Sequence, residues 1–258
     1  MRHPWFAASG TPRVLAHRGL VTPDGARSGI VENSLAAVAA AQAAGAAYVE
    51  SDCHLTADGV VVLFHDSDLS RVTGDPRTVA EVTVAELARL MESRGGLVTL
   101  AQALDAFPTV RFNLDVKATD AATPVGRAVA AYGDRVLITS FSDDRRREAI
   151  AAAAAADRGI LPATSAGTGT IARLLGGLAL RSQRRVARAL EGIDALQVPE
   201  RQRGLRIVTP RLIDAAHRHG VEVHVWTVNE PDDMRRLVGL GVDGIVTDRA
   251  DVALAALA

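Results

Sequence analysis

The sequence predicts an α/β fold, a (β/α)8 TIM barrel with a small helical insertion after a β-hairpin, and three observations carry that prediction. The chain has 258 residues, close to the roughly 250 usual for one such barrel. Strand-like and helix-like patterns alternate through most of it, the signature of a parallel sheet with crossover helices. Eight short apolar or β-branched runs qualify as barrel strands: residues 13–17, 47–53, 110–117, 135–140, 159–161, 194–198, 221–226 and 243–246. One domain over residues 1–258 holds all eight, with an insertion at about 66–109.

Helix signals fall between these runs. Ser34 opens a pattern over 34–44 that Gly45 closes, and Pro231 opens another over 231–238 that stops before Gly241. The segment 66–109 is longer than one crossover needs. It carries two capping boxes, Thr83 with Glu86 and Thr99 with Gln102, and reads as a small helical insertion. Residues 163–192 are less patterned: glycine and threonine give way to an arginine-rich helix at 181–189, read as a solvated outer helix.

Composition narrows the function. A hydrophobic share of 48% with 23% charged residues is ordinary for a soluble globular chain. The formal net charge of −1 provides no field that would steer the molecule to nucleic acid, so a small-molecule partner is expected. A single cysteine, Cys53, excludes an intrachain disulfide framework and a cysteine-rich metal site and fits a reducing compartment. The apolar group 5–8 is too short for a signal-peptide core, and the alanine-dominated stretches 36–49 and 149–156 are too short or interrupted to span a bilayer. Cytoplasmic residence without an integral membrane segment is the expectation.

The most informative stretch runs from Val49 to Asp66. Two extended runs flank Asp58-Gly59, a two-residue type I′ hairpin signal. With that turn Ala57 faces Val60, and counting outward sets Asp52 opposite His65, with Glu50 on the same face. A six-residue link is too short for the crossover that a parallel neighbour requires, so the second run is not a barrel strand. The second barrel strand is therefore expected to pass the carboxyl-terminal rim and fold back, returning His65 to rim level. Two inward carboxylates there repel unless a cation or a base neutralises them, and a divalent ion is the economical answer.

Other residues reach the same rim. His17 ends the first strand, and with His65 it forms a pair of imidazoles able to exchange protons with opposite faces of a reacting phosphate. Arg18 can fork two hydrogen bonds to phosphate oxygens. On the third strand Asn113, Asp115 and Lys117 share a face. Asp115 and Lys117 form either a mutual salt bridge or a third metal carboxylate beside a phosphate-neutralising lysine. Three oxygen ligands suit Mg²⁺ or Ca²⁺ rather than Zn²⁺. Trp226 and Phe141 either wall an alcohol-binding pocket or close the core.

Taken together, His17-Arg18-Gly19, Glu32-Asn33-Ser34, Glu50-Ser51-Asp52, Thr56-Ala57-Asp58-Gly59, His65-Asp66 with Leu69, Arg71 and Thr73, Asn113 to Lys117, Trp226 to Asn229, and Gly241 to Asp248 run over nearly the whole chain. In that order the sequence resembles the glycerophosphodiester phosphodiesterase family. The resemblance implies a barrel with His17 and His65 as acid and base, and one divalent cation on Glu50, Asp52 and Asp115. It implies phosphate contacts from Arg18 and Lys117, and hydrolysis of a glycerol phosphodiester to glycerol 3-phosphate and an alcohol. Members more often carry glutamate where Asp115 stands. Two other readings share these residues: a lipid phosphodiesterase or lyase working through a cyclic phosphate, and a catalytically silent phosphoester-binding barrel.

Overall fold

A computed structural model describes residues 2–8 and 10–258. The barrel strands are β1 (Arg13–His17), β2 (Tyr48–Leu55), β4 (Arg111–Val116), β5 (Val136–Thr139), β6 (Ala163–Thr164), β7 (Ala195–Pro199), β10 (Glu222–Trp226) and β11 (Gly244–Thr247). Three further strands lie outside that set: β3 (Val61–Leu63), which pairs antiparallel with β2, and a separate hairpin of β8 (Arg201–Gln202) and β9 (Leu205–Arg206). The parallel order is β6-β5-β4-β2-β1-β11-β10-β7. A parallel bridge from Ser165 to Ala195 and the Ala166 N–H donated to Ala195 O (3.0 Å) join its two ends. The (β/α)8 barrel predicted from the alternation is the observed fold.

Local chemistry accounts for the elements. Leu35–Ala43 is helical because Ser34 caps the Ala37 N–H, and it ends where Gly45 takes φ +99°. Both expected capping boxes form, at Thr83/Glu86 and Thr99/Gln102. Between β3 and β4 the short helices pack Leu69, Val79, Val82, Leu87 and Met91 against Val62 and Phe64, so this segment has an apolar core of its own. In the arginine-rich stretch the helix begins at Gln183, since Arg181 sits at φ +53° and Ser182 provides the cap. It buries Val186, Ala189 and Leu190 and leaves Arg184, Arg185 and Arg188 exposed. Among the described residues no helix is long and apolar enough to cross a membrane.

Three expectations need correction. The fifth strand is Ala163–Thr164 rather than 159–161. Ile160 and Leu161 are exposed, and Pro162 has no N–H for a ladder, so pairing with Leu137 and Ile138 begins after it. The hairpin turn is also one residue longer than a type I′ loop. Thr56 pairs with Val60, Gly59 N–H donates to Thr56 O, and Gly59 alone takes positive φ (+82°), the three-residue loop in which glycine fills the left-handed position. Asp58 instead uses its carboxylate to accept from Thr56 Oγ1 (2.6 Å) and from the Val84 N–H (2.9 Å). With the longer loop the register moves by one, so Cys53 opposes Leu63 and Asp52 lies beside Phe64, not His65. The third correction is the β8–β9 hairpin, which lies in a stretch read without strands.

The amino-terminal end of the barrel is shut by residues 4–7, a short 3₁₀ helix. Trp5 is fully buried, donates Nε1–H to Phe112 O (3.0 Å), and packs on Tyr48 and His224. Beneath it Arg13 forks onto Glu222 (2.9 and 3.0 Å) and donates to the Tyr48 hydroxyl, while His224 Nε2 lies 2.8 Å from Glu222. Burial pushes the His224 imidazole down to about 3. The unfolded chain takes up a proton near pH 6.5 that the folded imidazole refuses, so His224 contributes stability above that pH which is lost as pH falls toward 3. His224→Gln is expected to flatten the fall of unfolding free energy between pH 6.5 and 5 by up to about 1.4 kcal/mol per pH unit, one proton's worth, as measured by urea denaturation.

Candidate active site

Parallel register assembles the site. His17 lies beside Glu50 and Glu50 beside Asn113, while one step further up Asp52 lies beside Asp115. These side chains, with Arg18 and Lys117, line a cavity of about 500 Å³ at the carboxyl-terminal end of the strands, where barrel active sites lie. His65 joins them by a different route than the expected pairing. Strand pairing stops at Leu63, Phe64 turns into the core between β3 and β4, and His65, next in the chain, lines the cavity. Sequence reasoning placed His65 at the rim correctly, although the register it used is not the one observed.

The two histidines are held alike. His17 Nδ1 lies 2.6 Å from Asp248 Oδ1 and His65 Nδ1 lies 2.7 Å from Asp66 Oδ1. The bond from His17 holds the Asp248 carboxyl below the usual range. Burial would raise Asp66, but bonds from Arg71 and His65 bring it below as well. Ionised carboxylates accept, so each Nδ1 carries the hydrogen and each Nε2 is the nitrogen left to exchange a proton. Asn229 fixes Asp248 by donating to Oδ2 (2.8 Å) and accepting its N–H (2.9 Å). Arg71 links Asp66 to Glu32 (2.5 Å to each), and Glu32 in turn accepts from Arg18 (2.9 Å). Sequence reasoning gave no role to Asp66, Asp248 or Asn229. The signal was present in the β1–β11 neighbourhood, since a strand pairing Ala16 with Thr247 sets His17 beside Asp248.

Glu50, Asp52 and Asp115 are all buried. Burial, with Asp52 and Asp115 close by, pushes the Glu50 carboxyl well above the carboxylate range, and burial raises Asp115 against the pull of Lys117. Burial alone would lower Lys117, but contacts of 2.7 Å to Asp115 and 2.8 Å to Asp52 outweigh it and hold the ammonium above its ordinary value. The bland reading of an Asp115–Lys117 salt bridge is thus observed, with Asp52 as a third member. Arg18 adds a second cation 3.4 Å from Asp52 Oδ2. Asp52 Oδ2 and Asp115 Oδ1 nevertheless lack a hydrogen-bond partner, as does the Arg18 Nε–H. Among the described residues no three acidic, histidine or cysteine side chains are gathered as a ready-made metal cage. The donor set still fits one hard divalent cation, since three carboxylates face two cations and two buried oxygens are unsatisfied.

Trp226 and Phe141 meet edge to face at 5.8 Å and both line the cavity. Phe141 is 56% exposed, so it walls the opening rather than closing the core. Ile171, Leu175, Val198 and Ile207 continue that apolar wall, leaving the charged groups on the side of β1, β2 and β4.

Comparison with known proteins gives the family and supports the fold. Residues 17–252 match the glycerophosphoryl diester phosphodiesterase family. A protein of Mycobacterium tuberculosis named "Probable glycerophosphodiester phosphodiesterase 2" is 35% identical over 250 residues, 96% of this chain and 91% of that one. The crystal structure of a glycerophosphodiester phosphodiesterase from Thermotoga maritima superposes with a TM-score of 0.69 at 26% identity, covering 94% of this chain and 96% of the other. An Oleispira antarctica phosphodiesterase, solved in complex with the product sn-glycerol-3-phosphate, gives 0.70 at 22% identity over 96% of this chain and 97% of its own.

The turn that delivers Arg18 tolerates little change. Gly19 takes φ +86°, and a Cβ there would sit 2.7 Å from the backbone and Cβ of Ala37. Gly19→Ala is expected to cost about 2–4 kcal/mol of unfolding free energy, from left-handed strain plus overpacking, as read by urea denaturation; a change under about 0.5 kcal/mol would show that the close approach is relaxed in solution.

Proposed function

The chain belongs to the glycerophosphoryl diester phosphodiesterase family, and from that premise we propose that it hydrolyses glycerophosphodiesters to glycerol 3-phosphate and an alcohol, using His17 and His65 for proton transfer. The observation that carries this is the matched pair of imidazoles. Each is fixed through Nδ1 by a carboxylate, and both open on the cavity that holds Arg18 and Lys117. We assign the activity to one barrel domain over 1–258 with an insertion at about 66–109, working in the cytoplasm. The lone buried thiol Cys53 supports that location.

Arg18 and Lys117 offset the charge that develops on the phosphoryl oxygens. One imidazole takes a proton from the attacking water while the other gives one to the departing alkoxide, a division of labour worth about 10²–10⁴ in rate for each group. The orientation of the diester in the cavity decides which histidine does which. Glu50, Asp52 and Asp115 would hold one divalent cation, Mg²⁺ or Ca²⁺, which when bound supplies further neutralisation of the phosphoryl charge. Phe141 and Trp226 wall the side of the cavity that receives the alcohol. That side is apolar, which favours a second reading in which the alcohol carries an acyl or alkyl chain, as in a lysolipid.

His17→Ala and His65→Ala are each expected to lower kcat by at least about a hundredfold with an unchanged thermal midpoint, because both side chains sit on a rim that forms without them. Wild-type turnover of a purified glycerophosphodiester by either variant would reject its role. Asp115→Glu lengthens the third carboxylate by one methylene. It is expected to change the ratio of activity with Mg²⁺ to activity with Ca²⁺ while leaving the fold intact, and an unchanged ratio together with unchanged cation binding by calorimetry would remove Asp115 from the ligand set.

A further inference from the structure

The β8–β9 hairpin has no part in the chemistry above, yet it stands at the mouth of the cavity. It follows directly on the carboxyl-terminal end of β7, and Pro199 and Ile207 at its base and Gln202 beside its loop line the cavity. Pairing of Arg201 with Arg206 and of Gln202 with Leu205 leaves Arg203-Gly204 as a two-residue loop, both at positive φ (+48° and +82°). That is the tight turn whose twist matches a hairpin. All six residues from 201 to 206 are exposed.

Two features of this tip are costly for a protein facing only water. Leu205 is 71% exposed, more than any other large apolar side chain among the described residues. Being opposite Gln202, it shares the face that turns toward the cavity mouth. Arg201 and Arg206 are like charges directly opposite each other, a destabilising cross-strand pair. Glu200 partly compensates Arg206 (3.4 Å) but is itself shared with Arg236. Arg201 and Arg203 have no carboxylate partner among the described residues. The acidic residues on the neighbouring helix Pro231–Gly239 are spoken for, Asp232 by Arg235 and Asp233 by Arg236. At the same rim Phe141 presents a second exposed apolar surface.

We propose that this hairpin is an interfacial anchor for an anionic phospholipid surface, its tip entering the headgroup region edge-on with Leu205 on the face nearer the cavity mouth and Arg203 at the turn and Arg201 on the other face meeting lipid phosphates. Guanidinium groups suit phosphate by their forked geometry, and exposed apolar residues among cations are the composition of peripheral membrane contacts. Nucleic acid, the other large polyanion, fits less well because it offers no apolar phase for Leu205.

The test is cosedimentation of the full chain with vesicles of equal parts phosphatidylglycerol and phosphatidylcholine, against phosphatidylcholine alone. Binding is expected to the anionic vesicles only and to fall as salt rises. Two lost arginines should weaken partition by at least about tenfold, so the double variant Arg201→Gln, Arg203→Asn is expected to remain in the supernatant; asparagine keeps the left-handed position available. Leu205→Ser is expected to bind several-fold more weakly, and both variants should keep the wild-type thermal midpoint and turnover of a soluble glycerophosphodiester. Absence of wild-type binding, equal binding to both vesicles, or variants that sediment like wild type would overturn the proposal. So would a lipid-free dimer that Leu205→Ser dissociates, because the tip would then be an interface between copies of the chain. Since sedimentation reads no catalysis, its failure is separable from failure of the hydrolase reading.

Discussion

The register among β1, β2 and β4 is the constraint on which the candidate site depends. In a parallel sheet, residues at one level of neighbouring strands present side chains side by side, and here one level holds His17, Glu50 and Asn113 while the next holds Asp52 and Asp115. A slip of one residue in β2 would send Glu50 and Asp52 to the outer face. Nothing chemical at the rim would then remain together. The apolar residues of the same strand prevent the slip: Val49 and Cys53 belong to the main core, and burying them fixes the face on which the carboxylates must lie. Core packing and site assembly are thus one requirement, met by alternation.

Placing three carboxylates at that register is expensive. Two or more negative charges removed from water raise one another's proton affinity, and this is the state of Glu50 and Asp115. Lys117 and Arg18 offset part of the charge without satisfying every oxygen. A fold selected for stability alone would carry apolar side chains there. The opposite end of the barrel shows the contrast, for its buried ions are matched: Glu222 faces Arg13 and His224, and Trp5 seals them from water. Both Glu222 oxygens at the closed end are paired, whereas Asp52 and Asp115 at the open end each leave a buried oxygen without a partner, which is the contrast between a structural network and a binding site.

Legibility followed the range of the interaction that decided each feature. Strand alternation, helix caps and the order of the barrel are local, and the eight barrel strands were readable with β6 as the exception, while the β8–β9 hairpin outside the barrel was not. The lapse at β6 was itself local, since Pro162 was available to mark where pairing starts. The hairpin shows a subtler limit. Asp58-Gly59 advertises a two-residue turn, but the Asp58 carboxylate finds Thr56 and the Val84 N–H, the latter 26 residues on, and the loop grows by one. A type I′ loop appears at Arg203-Gly204 instead, where arginine in a left-handed conformation sends no strong signal. All the site residues named from the sequence sit on strands or within two residues of a strand end. Asp248 was within reach through strand pairing, whereas the Arg71–Glu32 link joins the one-turn helix Ser70–Thr73 to a loop 39 residues away in sequence and had no periodicity to reveal it.

The division of the cavity into a charged and an apolar side follows from the same topology. Strands β1, β2 and β4 bring the ions, while Phe141 after β5, Leu175 on the helix after β6, Val198 on β7 and Trp226 on β10 bring the apolar wall. An apolar wall lowers the local dielectric constant, and every charge–charge and charge–dipole term on the facing side is strengthened in consequence. The shift of Glu50 and the grip of Asp52 and Asp115 on Lys117 are therefore partly effects of the apolar wall, whose Phe141 ring also lies 5.7 Å from Lys117 Nζ. Under the proposed function a phosphodiester spanning the cavity would meet both halves, its phosphate on the ionic side and its alcohol on the other. In the proposed reaction the wall would act twice, once by accommodating the alcohol and once by limiting the water that screens Arg18, Lys117 and the two imidazoles.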